Sequence, residues 1–308
     1  MAVDTSPRPT WEPRLSVVIP AYNEEDGIVP TLNGLRTALP AAEIIVVDDG
    51  SADRTFERAA TVGGVTVLRH DYNRGYGAAL KTGMRAAGRD YVAWFDADDE
   101  HRVENLSRIV ERLDRERLVA VIGQRPTGVN RYRATGKAVI RAFAWALGLG
   151  AGSDLNCGLR AFRRAAILPY LTLLPNRYSA SMTSTMIVTQ RGYPVAFEPV
   201  TTRPRIGTSK VVLADGLQAL VLVLRMIMLF APLRIFAALG AGMAAFGLVY
   251  GLVLAMVHGL GFPTLSVVLV LGGLFLTLQG LIADQISYMR LGQLESARLD
   301  DDGRANVV

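Results

Sequence analysis

The chain has 308 residues, half of them hydrophobic, and 33 Lys and Arg against 28 Asp and Glu give a net charge of +5. This is too apolar for one ordinary soluble domain, and long enough for a sizeable α/β core with an apolar appendage. The single cysteine, Cys157, excludes an intrachain disulfide and a thiolate zinc site, and no basic run interleaved with aromatics marks nucleic acid as a partner.

Residues 1–14 are polar and Pro-rich without an apolar signal-peptide core, so a flexible tail that stays in the cytoplasm is expected. Leu15 to Pro20 reads as a first strand, followed by the loop Ala21–Glu25 and a helix ending near Leu39, with Pro30 in its first turn or at a kink. Glu43 to Val47 is the second strand, and it ends in Asp48-Asp49-Gly50-Ser51. Asp53 is placed to cap a helix from Arg54 to Val62. Val65 to Arg69 reads as a third strand, Gly77 to Ala87 as a helix, Tyr91 to Phe95 as a fourth strand, Val103 to Arg115 as an amphipathic helix, and Leu118 to Gly123 as a fifth strand. Strands alternating with helices imply βαβ units and a mostly parallel sheet with helices on both faces. No Gly-x-Gly-x-x-Gly follows the first strand, so a dinucleotide fingerprint is missing. Gly75-Tyr76-Gly77 reads as a packing and turn device more than a phosphate loop.

Past Gly123 the pattern changes. Arg125, Arg131, Arg133, Lys137 and Arg141 lead into the apolar AFAWALGLG, which fits a helix lying at a membrane surface over about 131–150 or the solvated face of a core helix. Residues 211–231 are similar, apolar with only Asp215 and Arg225 charged. Two uncharged apolar spans follow, 235–257 and 262–283, each long enough to cross ~30 Å of hydrocarbon as a helix. Glycines on both permit close packing as a hairpin. Arg225 and Arg234 precede the hairpin, and Arg290 and Arg298 follow it, so both ends are expected to face the cytoplasm. The expected units are therefore a catalytic domain over 15–210, an interface helix over 211–231, a transmembrane hairpin over 232–290 and a charged, frayed tail over 291–308.

The stretch Tyr91–His101, YVAWFDADDEH, carries the most chemistry. Its strand ends in Asp96, Asp98, Asp99 and Glu100, and carboxylates this close repel unless some hold protons or a cation sits among them. An isolated Asp-x-Asp is usually a solvated turn. Here it caps a buried strand, where open α/β sheets place ligands, and its hard oxygens suit Mg²⁺ or Mn²⁺ rather than zinc.

Taken together, Pro20-Ala-Tyr-Asn-Glu-Glu25, Val47-Asp-Asp-Gly-Ser51, Asn73-Arg-Gly-Tyr-Gly77 and Asp96-Ala-Asp98 resemble family 2 glycosyltransferases of the GT-A fold. Ile122-Gly-Gln-Arg125, Asn156-Cys-Gly-Leu-Arg-Ala-Phe162 and Arg205-Ile-Gly-Thr-Ser-Lys210, followed by a hairpin, narrow the resemblance to polyprenyl-phosphate sugar synthases such as dolichyl-phosphate mannose synthase. The resemblance spans roughly 15–290. It implies an inverting transfer of a hexose from a GDP-mannose or UDP-glucose type donor to polyprenyl phosphate, at the cytoplasmic face of the inner membrane, by a multi-pass protein. It further implies that Pro20, Tyr22, Glu24, Val47, Asp49, Asp96, Ala97 and Lys81 bind the nucleotide sugar. Asp96, Asp98 and Glu100 would hold Mg²⁺ or Mn²⁺, and Asp98, Arg125, Asp154, Arg205 and Lys210 would form the catalytic set. Arg125 with Arg131 or Arg133 would meet the acceptor phosphate, since a guanidinium fork suits that anion. Arg205 and Lys210 would close over the donor, and Asp154 would order that region or the sugar. His101 is a plausible neighbour of the site, with His70 and His258 as bystanders.

The chain departs from its relatives' Asp-x-Asp-x-Gln-His-Pro in having Glu100, and Arg102-Val103 after His101. A third carboxylate is expected to bind the cation more tightly or change which cation is preferred. The Gln-x-x-Arg-Trp of processive synthases is missing, with Trp only at positions 11, 94 and 145. A different lipid or glycan acceptor, or a non-catalytic membrane scaffold, are the competing functions, and amphipathic segments beside a hairpin could support a homo-oligomer.

Overall fold

The computed structural model describes residues 9–98, 101–125, 157–177, 179–201, 228, 232–259 and 261–305. Glu100, Arg131, Arg133, Asp154, Arg205 and Lys210 lie outside the described residues, as do the segment 131–150 and all of 211–231 but Met228. The chain forms two compact units, 1–210 and 211–308.

The first unit is built on seven strands: β1 (Leu15–Ala21), β2 (Glu43–Asp48), β3 (Thr66–Arg69), β4 (Tyr91–Trp94), β5 (Ala120–Gln124), β6 (Arg160–Arg163) and β7 (Val195–Pro199). Their order is β3-β2-β1-β4-β6-β5-β7. The pairs β1–β2, β1–β4, β2–β3 and β5–β7 are parallel, while β6 runs antiparallel to both β4 and β5. The mostly parallel sheet is as expected, whereas β6 and β7 were not anticipated. The β6 insertion means that β5 does not pair with β4 directly.

β1 and β4 are buried along their whole length, and alternate residues serve opposite faces. Leu15, Val17, Ile19, Ile44, Val46, Tyr91 and Ala93 join the core beneath α1 (Ile28–Ala38) and α4 (Val103–Arg115). Pro30 sits in the first turn of α1, where its missing N–H leaves no helix bond unmade. On the other face lies α3 (Tyr76–Ala86), seated so close that a Cβ on Gly83 would come 2.3 Å from Val18 Cγ1 and 3.2 Å from Val47 Cγ2. α2 (Thr55–Ala60) begins one residue later than expected. Asp53 precedes it and accepts from the Thr55 amide and hydroxyl, an Asx-type turn in place of the expected cap. After β6 come the short α5 (Arg164–Ile167), a 3₁₀ turn (Leu168–Leu173) and α6 (Ala180–Gln190).

The second unit is the hairpin of α7 (Pro232–His258) and α8 (Thr264–Ala305). Pro232–Val257 and Thr264–Met289, 26 residues each, are long and apolar enough to cross a membrane. They meet through glycines: a Cβ on Gly240 would lie 2.5 Å from Gly273 O, and one on Gly251 2.5 Å from the Phe262 ring. Outside that seam Leu239, Phe246, Val253, Leu271, Leu274 and Phe275 are exposed, which suits hydrocarbon rather than water. The tail expected to fray from Leu294 is instead helical, with α8 running on to Ala305.

Candidate active site

The C-terminal ends of β1, β2 and β4 lie side by side, with Ala21 opposite Asp48 and Val18 opposite Trp94. The loops that leave them therefore emerge at one edge of the sheet, where open α/β folds bind ligands. β5 points the same way through β6, which brings Arg125 to that edge as well.

The first two loops are stitched together by their own polar groups. Asn23, in the left-handed region at φ 56°, donates its N–H to Ser51 Oγ (3.0 Å) and accepts from the Ala52 N–H (3.0 Å). The Glu24 N–H donates to Thr55 Oγ1 (2.8 Å) and the Glu25 N–H to Asp53 Oδ2 (3.2 Å). This frame leaves the Tyr22 ring 41% exposed beside partly buried Glu24, a flat surface on which a base can stack. Pro20 is buried in β1.

Two of the expected donor residues have their side chains engaged within the protein. The Val47 side chain is fully buried against Gly83, so it belongs to the core. Asp49 has both oxygens engaged: Oδ1 faces His70 Nδ1 (2.7 Å) and accepts from the Arg74 N–H (3.0 Å), while Oδ2 accepts from the Gly75 N–H (2.7 Å). His70 Nε2 in turn meets Thr82 Oγ1 at 2.9 Å. His70, expected as a bystander, is thus a buried partner of Asp49. Lys81 departs too. Its ammonium donates to Leu174 O (3.0 Å) and to Asn176 Oδ1, and burial, followed by the charges of Arg85 and Arg74, lowers its pKa. It ties α3 to the loop before α6.

Asp96, Ala97 and Asp98 follow β4 directly. The Ala97 carbonyl accepts from Thr31 Oγ1 (3.3 Å) and lies over the start of α1, where a Cβ on Gly27 would be only 2.7 Å from it. Asp98 is 7% exposed. The Asp96 carboxylate accepts from the Tyr76 hydroxyl at 2.9 Å and lies 3.7 Å from His101 Nε2. Burial and then the Asp96 charge hold the Tyr76 phenol well above the usual tyrosine pKa, so it remains a proton donor. Across from it, a Cβ on Gly158 would fall 2.1 Å from Asp96 Oδ2, so only glycine makes this cradle. The described donor set is two carboxylates, with the buried His101 beside them leaving Nδ1 without a hydrogen bond. Carboxylate oxygens at a strand end are the donor type a small divalent cation takes, although among the described residues no three His, Cys, Asp or Glu side chains gather to hold one.

The Gly158 wall is held by Arg160, which sequence reading passed over as one letter of a motif. It is fully buried, donates to Cys157 O, Ser181 O, Ser184 Oγ and Thr185 Oγ1, and stacks 5.3 Å over the Trp94 ring. The Tyr76–Asp96 bond was also missed, although Gly-Tyr-Gly marked the turn that makes it.

Set against known proteins, residues 16–168 match the family model described as Glycosyl transferase family 2, and residues 231–289 match the GtrB C-terminal hairpin. The chain is 31% identical over 221 residues to the polyprenol monophosphomannose synthase of Mycolicibacterium smegmatis, covering 66% of this chain and 82% of that protein. It is 34% identical over 165 residues to the undecaprenyl-phosphate mannosyltransferase of Micrococcus luteus, covering 49% of this chain and 66% of that one. The glucosyl-3-phosphoglycerate synthase of Mycobacterium tuberculosis, solved with Mn²⁺, UDP and glucosyl-3-phosphoglycerate, is similar in fold: TM-score 0.55, 23% identity, 73% of this chain and 84% of that one.

Proposed function

Because the chain belongs to glycosyl transferase family 2, and within it to the polyprenyl-phosphate sugar synthase type, we propose that it moves a hexosyl group from a nucleotide sugar to polyprenyl phosphate at the cytoplasmic face of the membrane. The observation that carries this reading is the joining of two parts: an acid-tipped GT-A sheet and a hairpin of two membrane-length helices. A soluble acceptor would not require the second part.

The transfer is a single displacement with inversion. An oxygen of the acceptor phosphate forms the bond to the anomeric carbon, the carbon–oxygen bond to the nucleoside diphosphate breaks, and its electron pair leaves on the diphosphate. A phosphate monoester has its second pKa near ~6, so it is already an anion at neutral pH and needs no general base. Arg125, at the end of β5, together with Arg131 or Arg133, receives that anion. Tyr22 and Glu24 hold the nucleoside, and Arg205 and Lys210 close over the donor. Asp96, Asp98 and Glu100 would hold Mg²⁺ or Mn²⁺, which when bound offsets charge on the departing diphosphate. The Mn²⁺ and UDP present in the similar synthase structure support this choice of cofactor and donor class.

The test is transfer of labelled sugar from GDP-mannose and UDP-glucose by membranes holding the protein, with and without polyprenyl phosphate and Mn²⁺. A lipid-linked product that needs both additions and is lost in Asp98→Ala is expected. Undiminished transfer by Asp98→Ala would overturn the reading of the acid site. No lipid-linked product from any nucleotide sugar would favour a scaffold.

A further inference from the structure

The turn Asn73–Gly77 links the loop after β2 to the acid loop after β4. At one end Asp49 accepts the Arg74 and Gly75 amides and is itself anchored by His70, which is braced on Thr82. At the other end the Tyr76 hydroxyl binds Asp96 Oδ1 at 2.9 Å. Between the two, Gly75 takes φ 101°, and a Cβ there would sit 2.5 Å from Asn176 O. A Cβ on Gly77 would sit 2.0 Å from Pro175 O. The turn is thus clamped by backbone on one side and by Asp49 on the other, and its one hydroxyl reaches the acid at the end of β4.

We propose that this turn is a positioning device for the donor's cation, in which Tyr76 orients the Asp96 carboxylate and the His70–Asp49 pair keeps Tyr76 in place. The inference rests on reading Asp96 as a donor-side acid. A carboxylate on a strand-end loop can swing about two side-chain torsions, and a hydrogen bond from a rigidly seated ring removes that freedom. Removing a partner that orients a metal-binding side chain in this way typically costs ~10–100-fold in metal affinity. Neither Tyr76 nor His70 needs to touch the cation or the sugar.

Binding of Mn²⁺ to the full-length chain in detergent, followed by loss of the free-ion electron paramagnetic resonance signal, tests this without any turnover. It is run with Mn²⁺ alone and with UDP or GDP. Tyr76→Phe keeps the ring and removes only the donor. It is expected to weaken Mn²⁺ binding about tenfold or more, with an unchanged melting temperature. His70→Ala should weaken binding as well, and His70→Asn, which keeps an N–H near the place of Nδ1, should restore most of it. If Tyr76→Phe holds Mn²⁺ as tightly as the unaltered chain while Asp96→Asn does not, the positioning role is overturned and the donor-side reading of Asp96 survives. If Asp96→Asn and Asp98→Asn both bind Mn²⁺ normally, both fall. Should Tyr76→Phe melt far lower, the two His70 variants decide by the same criterion.

Discussion

A guanidinium sealed from water must find acceptors for its donors, and Arg160 finds them in two carbonyls and two hydroxyls rather than in bulk solvent. It gives Ser181, Ser184 and Thr185 of α6, a helix buried along most of its length, a polar partner inside the protein. Arg125 is a different case, partly exposed at the end of β5, and the proposed function has it receive the acceptor phosphate. Arg125→Ala should lower lipid-linked product formation about tenfold or more, since a charge-assisted hydrogen bond is worth ~1.5–3 kcal/mol. Turnover equal to that of the unaltered chain, measured at saturating donor, would reduce Arg125 to a lipid contact.

Among the elements, α3 is the one on which the site most depends. It starts at Tyr76, carries Lys81 to the loop before α6, and lies against β1 and β2 through Gly83. Packing this tight leaves no room for a branched side chain. Gly83→Val should destabilise the fold by ~1–3 kcal/mol through overpacking, and thermal unfolding should report it as a lower melting temperature. The same substitution at Gly63, where a Cβ meets nothing within 4 Å, should leave melting nearly unchanged. α4 was legible from its alternation of apolar and charged residues, because its outer face meets solvent and its inner face the core. α6 was not, because a helix buried all round has no periodicity to read.

Across the whole molecule, the division of labour is between a sheet that holds polar chemistry and a hairpin whose surface is almost wholly apolar. Arg234 and Arg290 stand outside the two uncharged spans, 235–257 and 262–283, an arrangement from which we expect both ends of the hairpin on the cytoplasmic side. With Cys157 the one cysteine of the sequence and buried, single introduced cysteines can report this orientation in intact cells. A cysteine in place of Gly261, between the two helices, should react with a membrane-impermeant maleimide added outside. One in place of Gly292 should not. The opposite pattern would invert the topology.

What the amino-acid order determined by itself was whatever repeats locally. Alternating buried strands, the two uncharged spans and the acids at the tip of β4 could all be read within a few residues of one another, and together with their spacing they pointed to the family. Tertiary structure decided how far-separated polar groups share hydrogen bonds. It turned Asp49 toward His70, drew Lys81 onto Leu174, inserted β6 between β4 and β5, and set Tyr76 on Asp96. The reason is physical: a buried polar atom must be satisfied by whatever the fold brings within 3 Å or so. That neighbour is chosen by packing across the sheet, not by distance along the chain.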